Sequence, residues 1–277
     1  MTTNAKEHCS PNVVIRDIEG QTEMQAVERL QKEVWGLPDL DVVPLTQLTA
    51  AKASGGILQG AFDGEELVGF VYGFAGHEGG RPTHHSHMLA VKPAYRNLNL
   101  GYRLKLAQRE FALSQGITEM TWTFDPLQSL NAYFNFKRLG VVSNRYLIDF
   151  YGTDAASFLH RNGTDRLWVT WPLASRRVEE RIDQTVADIG FENAEPLIEV
   201  REHNSPRIHD LNAKSSAEMA FIEIPGRIDE IERESLELAA EWRDATRTAF
   251  TKAIAAGYVV VDFIRGDKTG KYLLDRG

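Results

Sequence analysis

Apolar residues recur along this chain with two periods, and the switches between them mark out its elements. Val13-Val14-Ile15 reads as a first strand. Met24, Val27, Leu30 and Val34 follow at spacings of three, three and four, which predicts an amphipathic helix over 22–34. A second, short helix fits 45–53. Ile57 to Phe62 and Leu67 to Phe74 flank Asp63-Gly64 in the pattern of a β-hairpin. A loop over 76–82 leads into a strand at 86–91, and a helix then runs to about residue 115, with Gly116 behind it. A strand at 119–124, a helix at 129–138 closed by Gly140, a strand at 141–150 and another at 167–171 follow.

Beyond this the pattern changes. Residues 173–200 turn polar around Ser175-Arg176-Arg177, with an acidic helix expected next, and mark a junction. Met219 to Ile224 reads as a strand, Asp229 to Ala256 as a long helix and Tyr258 to Ile264 as a strand. The expected organisation is a domain at 12–172, a junction at 173–200 and a β-α-β subdomain at 201–277. Pro225-Gly226-Arg227, ahead of the long helix, is too short a loop to wrap a pyrophosphate.

The 277 residues, 43% of them apolar, suffice for a real core. A net charge of −8 argues against nucleic acid or an anionic membrane as the main partner. The single cysteine, Cys9, leaves no disulfide framework and no metal cluster. With no apolar leader and no membrane-length run, a cytoplasmic setting is expected.

The most informative segment runs from Leu89 to Tyr102: an apolar strand, a turn with Pro93, a polar loop and a helix start. Such a start presents unpaired N–H groups and the positive end of the helix dipole, a place to hold a phosphate or pyrophosphate. Arg96 adds a permanent, bidentate cation, and Gly101 lets a ligand approach the backbone. The segment resembles the acyl-CoA signature of the GNAT superfamily of N-acyltransferases, an Arg or Gln, two residues, Gly, one residue, then Gly or Ala. Arg96 and Gly101 take its ends, and Asn99 stands where the first Gly is usual; Asn tolerates a positive φ well.

The order β-α-α-β-β-β-α-β-α-β-β over 12–172 is similar to that superfamily's. The resemblance implies an α/β (α+β) fold, a mixed central sheet splayed to admit the pantetheine arm and flanked by helices. It implies acyl transfer from acetyl-CoA or another acyl-CoA, without a metal, to a small-molecule amine or amino acid in a ternary complex, by a monomer or homodimer. Succinyl transfer from succinyl-CoA to an amino acid is an alternative, and acyl-CoA binding without catalysis another. The chain is similar throughout to a bacterial two-part subset, including Trp122-Thr123-Phe124-Asp125-Pro126-Leu127, Asp165-Arg166-Leu167 and Trp242-Arg243. The last β-α-β unit then either helps shape the acceptor site, as a degenerate second half, or extends the sheet.

The resemblance also distributes roles. Arg96, Asn97, Leu98, Asn99, Leu100, Gly101 and Tyr102 would hold the donor, with the peptide groups of Leu89 and Val91 pairing its thioester and pantetheine. A second landmark, Asn, two residues, Ala, three residues, Tyr, three residues, Gly-Phe, is met by Ala132 and Gly140. Ser129 takes its Asn position, and Phe136 the place of the tyrosine that protonates the leaving thiolate. Tyr133, three residues earlier on nearly the same helical face, either replaces that acid or packs. Asn131 either meets the pantetheine or is an exposed helical Asn. His85 and His87 share a sheet face; His87 is either the base, directly or through water, or a hydrogen-bonded structural histidine. His84, His85 and His87 lack the carboxylate or Cys spacing of a metal site. Asp125, at a strand's C-terminal end, either orients the acceptor amine or caps the next helix. Arg166, Arg243 and Arg247 are candidates for an acceptor carboxylate or for surface salt bridges.

Overall fold

The structure is a computed structural model, and it describes residues 12–152, 162–185, 190, 193–209 and 217–277; Cys9 lies outside them. The chain divides into two compact units at Gly116/Ile117.

In the first unit β1 (Val13–Asp17), β2 (Ile57–Asp63), β3 (Glu66–Glu78) and β4 (Arg81–Val91) form an antiparallel sheet in chain order. The helices α1 (Gly20–Trp35) and α2 (Leu45–Ala53) cover one face, where Met24, Val27, Leu30 and Leu48 pack on Leu58, Phe70 and Tyr72. The other face carries α3 (Leu100–Ser114), with Leu100 and Leu104 on Ala61, Val68 and Val71. Covered on both sides, β2 and β3 read as nearly continuous apolar runs rather than alternating ones. The loop expected at 76–82 is the end of a longer hairpin. Gly79 and Gly80, at φ 56° and 82°, make its two-residue turn, a geometry that favours glycine at both positions. Tyr72 pairs with Met88 and Gly73 with Ser86, so His87 is the extra residue of a β-bulge.

In the second unit β5 (Glu119–Phe124), β7 (Arg166–Pro172) and β6 (Val142–Leu147) are antiparallel neighbours in that order. β6 meets β11 (Val259–Arg265) at Ser143 and Val260, and β11 pairs with β12 (Thr269–Asp275). Then come β10 (Met219–Pro225), β8 (Glu195–Val200) and β9 (Pro206–Ile208); β8 and β10 are parallel, which makes this sheet mixed. The helices are α4 (Ser129–Ala132), which continues as a π-helical stretch Tyr133–Leu139, then α5 (Arg176–Ile182), α6 (Ile228–Glu234) and α7 (Leu236–Ala255). The α/β class is as expected; several bounds differ. The strand expected at 141–150 ends at Leu147. The helix expected at 229–256 is two, because Ser235 is extended at φ −152° and caps α7 through Leu238 N–H. β8, β9 and β12 had no counterpart in the sequence pattern; Leu273 and Leu274 of β12 are buried in succession, so that strand shows no alternation.

Among the described residues no helix is long and apolar enough to cross a membrane, and no group of three or more His, Cys, Asp or Glu residues is placed to hold a metal ion.

Candidate active site

Between β4 and α3 the chain makes a 3-10 turn, Pro93–Leu98, and Asn99 then adopts φ 57°, ψ 23°. That left-handed conformation costs most residues about 1–2 kcal/mol and Asn less, so the asparagine keeps the turn a glycine would make. The turn is anchored from below. The Tyr95 hydroxyl donates to Asp63 at 2.9 Å, Lys92 pairs with Glu66 at 2.7 Å and Glu33 at 3.2 Å, and Arg103 donates to the Val13 carbonyl at 2.8 Å. Above these anchors Arg96, Asn97, Leu98 and Asn99 are exposed in succession, while Leu100 is buried.

The first bond of the α3 ladder runs from Arg103 N–H to the Asn99 carbonyl, which leaves the preceding N–H groups at the helix mouth. No acidic residue lies in this first turn. A β-carbon on Gly101 would meet only Leu89 Cδ2, at 3.5 Å, an ordinary contact. Nothing in the fold itself requires glycine there, and the vacant volume adjoins the anion-favouring end of the helix. The start of α6 differs: Asp229 and Glu230 occupy its first turn, and Arg227 is paired with both. Gly226 there is needed for packing, since a β-carbon would sit 2.8 Å from the Lys268 carbonyl.

Lys92 N–H donates to the Val68 carbonyl at 2.8 Å, so Val91 and Gly69 form a non-hydrogen-bonded pair. The peptide groups of Val91 and Leu89 therefore point away from β3, and Arg96 Nε reaches the Val91 carbonyl at 3.4 Å.

His85 and His87 lie on the face of Tyr72 and Phe74. Phe74 lies 5.3 Å from the His85 ring and 5.7 Å from the His87 ring, and Tyr72 lies 6.0 Å from His87. Burial, with His87 alongside, pushes His85 down to about 4; desolvation by the neighbouring side chains also lowers His87, although that residue is exposed. Both rings are neutral at neutral pH, and a neutral imidazole can take a proton from an ammonium. His84 points to the opposite face, wholly buried, and neither ring nitrogen has a hydrogen-bond partner. Burial and the nearby Lys105 push it down to about 4. Lys105 donates to Ser86 Oγ at 3.0 Å and to Gln108 Oε1 at 2.9 Å, and burial holds its pKa well below the usual lysine range. Lys105 and Gln108 belong to no motif in the sequence. The available signal was their place beside the apolar stripe of Leu100, Leu104 and Ala112.

The second unit brings Asp125, Asn131 and Tyr133 within one turn-and-helix segment. Asp125 binds Arg243 through both oxygens, at 2.8 and 2.9 Å, and accepts Leu127 N–H at 3.0 Å. Its bonds are those of an ion pair and of a turn ahead of α4. The Arg243 pair is a salt bridge, but a buried one rather than a surface one. Arg247 donates to Asp165 at 2.8 and 2.9 Å and pairs with Asp149 at 3.1 Å. Arg166 is buried, donates to the Asp165 carbonyl at 2.7 Å and lies 5.2 Å over the Tyr151 ring; burial lowers its pKa.

Phe136 is fully buried, 6.2 Å from the Phe124 ring and 5.7 Å from the Tyr272 ring. Tyr133 does not share that environment: it opens the π-helical stretch and is half-buried, because the wider i→i+5 winding turns it off the Phe136 face. Ser129 is buried, and a β-carbon on Gly270 of β12 would lie 3.1 Å from its Oγ, so little room remains for an asparagine. Asn131 is exposed.

Residues 22–140, which include the turn, α3, β5 and α4, match the model of the acetyltransferase (GNAT) family. No curated protein matches the chain. Among solved structures, the ribosomal-protein-S18-alanine N-acetyltransferase of Escherichia coli is 12% identical, with a TM-score of 0.48 over 59% of this chain and 95% of its own. Aminoglycoside 6'-acetyltransferase type Ii is 20% identical, TM-score 0.47, over 59% and 98%. A GNAT family acetyltransferase from Elizabethkingia anophelis, with acetyl-CoA bound, is 16% identical, TM-score 0.46, over 58% and 98%. Over residues 22–140 this chain is similar to the GNAT acetyltransferase family.

Proposed function

We propose that this enzyme transfers an acetyl group from acetyl-CoA to a small amine, directly, in a ternary complex. The observation that carries the reading is the start of α3: acid-free, ringed by exposed residues 96–99, and glycine at 101 where the protein's own packing asks for none. The helix mouth and Arg96 bind the donor's diphosphate. The outward peptide groups of Leu89 and Val91 hold the pantetheine and stabilise charge on the thioester oxygen, a contribution on the order of 3–4 kcal/mol per well-aimed donor. Neutral His87 takes a proton from the incoming ammonium, the amine nitrogen attacks the thioester carbon, the C–S bond breaks, and the nitrogen gives up its second proton to solvent as the amide forms. Tyr133 gives its proton to the departing thiolate and regains one from solvent.

Arg243 and Arg247 are engaged by carboxylates of the chain itself, so no observation favours the succinyl or amino-acid alternative. Phe136 is packed edge-on to Phe124 and Tyr272, and in this reading Tyr133 takes the role of the missing tyrosine. We assign the acyltransferase part to 12–172, the junction to 173–200 and an accessory part to 201–277, in a cytoplasmic protein.

The test is release of free thiol from acetyl-CoA and from succinyl-CoA across a panel of amines and amino acids. Thiol release with acetyl-CoA and a simple amine is expected, and CoA binding without turnover anywhere in the panel would sink the proposal. Tyr133→Phe should lower kcat by about 10²-fold or more while changing KM little, the usual worth of a general acid. A kcat within about twofold of the parent would make Tyr133 a packing residue.

A further inference from the structure

The family match ends at residue 140, yet the segment that carries Asn131 and Tyr133 is held from well beyond it. Four features of that segment, at Asp125, Pro126, Ser129 and Phe136, are fixed by α7 and β12. The Asp125 carboxylate is clasped by both terminal nitrogens of Arg243, whose Nε also donates to the Asn162 carbonyl at 2.7 Å. The Pro126 carbonyl accepts the hydroxyl of Tyr272 at 2.7 Å, in the buried core. Ser129 abuts Gly270, and Phe136 stands edge-on to Tyr272, which itself packs on Phe250 and Phe263 at 5.1 and 4.7 Å.

Each of these contacts is specific in geometry. A bidentate Arg–carboxylate pair fixes the carboxylate's plane as well as its distance. Side-chain exposures of 5% for Arg243 and 15% for Asp125 put the pair in a weakly screened setting, where losing one partner strands the other charge. The Tyr272 hydroxyl satisfies a main-chain carbonyl in the turn itself. Asn131 and Tyr133 follow within a few residues, so the orientation of the turn sets theirs.

We infer that the C-terminal elements α7 and β12 form part of the catalytic framework, with Arg243 and Tyr272 as positioning residues that hold the 125–128 turn and so aim Asn131 and Tyr133. This rests on the acyltransferase reading above, and in particular on a catalytic use of the Asn131–Tyr133 segment. The same contacts explain why Ser129 and Phe136 depart from the family pattern: Gly270 and Tyr272 of β12 take the space beside them.

The test uses the full chain carrying Arg243→Met, Arg243→Lys or Tyr272→Phe, with melting, acyl-CoA affinity by calorimetry and steady-state kinetics on each. A displacement of about 1 Å in a catalytic group can cost on the order of 10²-fold in rate. Arg243→Met is therefore expected to lower kcat at least about tenfold, with acyl-CoA affinity within about twofold, because the donor's phosphates are held at α3. Arg243→Lys, able to make one of the two bonds, should fall between. A purely structural role would lower the melting temperature and leave kcat per folded molecule unchanged; that result overturns the inference. If Arg243→Met does not fold, Tyr272→Phe decides, since it removes one hydroxyl from an otherwise unchanged core. Tyr133→Phe run in parallel separates the two readings. A silent Tyr133→Phe with a slow Arg243→Met removes the general acid and leaves the positioning in place, acting through Asn131. A slow Tyr133→Phe with silent Arg243 and Tyr272 variants does the reverse.

Discussion

Acid should destabilise this protein through His84, and the size of the effect follows from where the ring lies. In the folded chain His84 is fully buried against α3 and its pKa falls from 6.5 to about 4, chiefly by burial and secondarily because Lys105 is near. In the unfolded chain it titrates near the ordinary value. Between those two values the unfolded state takes up a proton that the folded state refuses. Stability is therefore full above pH 6.5, falls as the pH drops towards 4, and levels off below it. Linkage puts the loss between pH 7 and pH 5 at roughly 2 kcal/mol, with a ceiling of about 3 kcal/mol at lower pH. His85, also pushed down to about 4 but only partly buried, adds a smaller loss of the same sign.

The assay is urea unfolding of the parent chain and of His84→Leu at pH 7, 6 and 5. Both keep His85 and Lys105, so the difference between their curves isolates His84. The parent is expected to lose about 2 kcal/mol more than the variant between pH 7 and 5. At pH 7 the variant should be at least as stable, because it removes two buried ring nitrogens that have no partner. Parallel stability curves across the range would refute the reasoning, since His84 would then titrate alike in both states.

Two substitutions examine the turn before α3. Arg96→Ala should weaken acyl-CoA binding by on the order of 1.5–3 kcal/mol by calorimetry, the worth of a charge-assisted contact; unchanged affinity in a folded variant would take Arg96 out of the site. Gly101→Ala should leave the fold as stable or raise stability by about 0.5–1 kcal/mol, yet weaken acyl-CoA binding, because the added carbon takes space the protein leaves vacant. Equal affinity would place the donor elsewhere. Phe136→Tyr restores the residue usual in the family and is nevertheless expected to give no gain in kcat. It should cost about 1–3 kcal/mol in thermal or urea melts, since the hydroxyl is driven into a buried cluster of aromatic rings. A faster enzyme would mean that this face reaches the thiolate.

Much of the candidate donor site was legible in the sequence because it is local. The Pro93 turn, the left-handed Asn99 and the helix that begins at Leu100 depend on neighbouring backbone and side chains alone, and each is where residue type and spacing put it. The amphipathic α1 and the strand–turn–strand of β2 and β3 were readable for the same reason, since apolar period follows from which side of an element is covered. Where local signals compete, residue type alone does not fix the element. Gly79-Gly80 suits a loop as well as a tight turn, and only the pairing of Glu78 with Arg81 makes it the latter. Ser235 sits in a helix-like pattern and breaks it because capping α7 competes with continuing α6.

The remaining features were settled by tertiary structure. That Asp125 would spend its carboxylate on Arg243, 118 residues away, is not carried by any spacing in the chain. That Phe136 would lie in a core closed by Tyr272 depends on β12, whose consecutive buried leucines show no strand period. His84 is sealed and His87 exposed because of what covers each side of β4, which no spacing in the chain states. Residue types and spacing state which groups are present and how each short stretch prefers to bend. Which distant charge answers a carboxylate, and which side of a helix is covered, depends on how the sheets and helices assemble, because those interactions are made across space by residues that sequence order does not bring together.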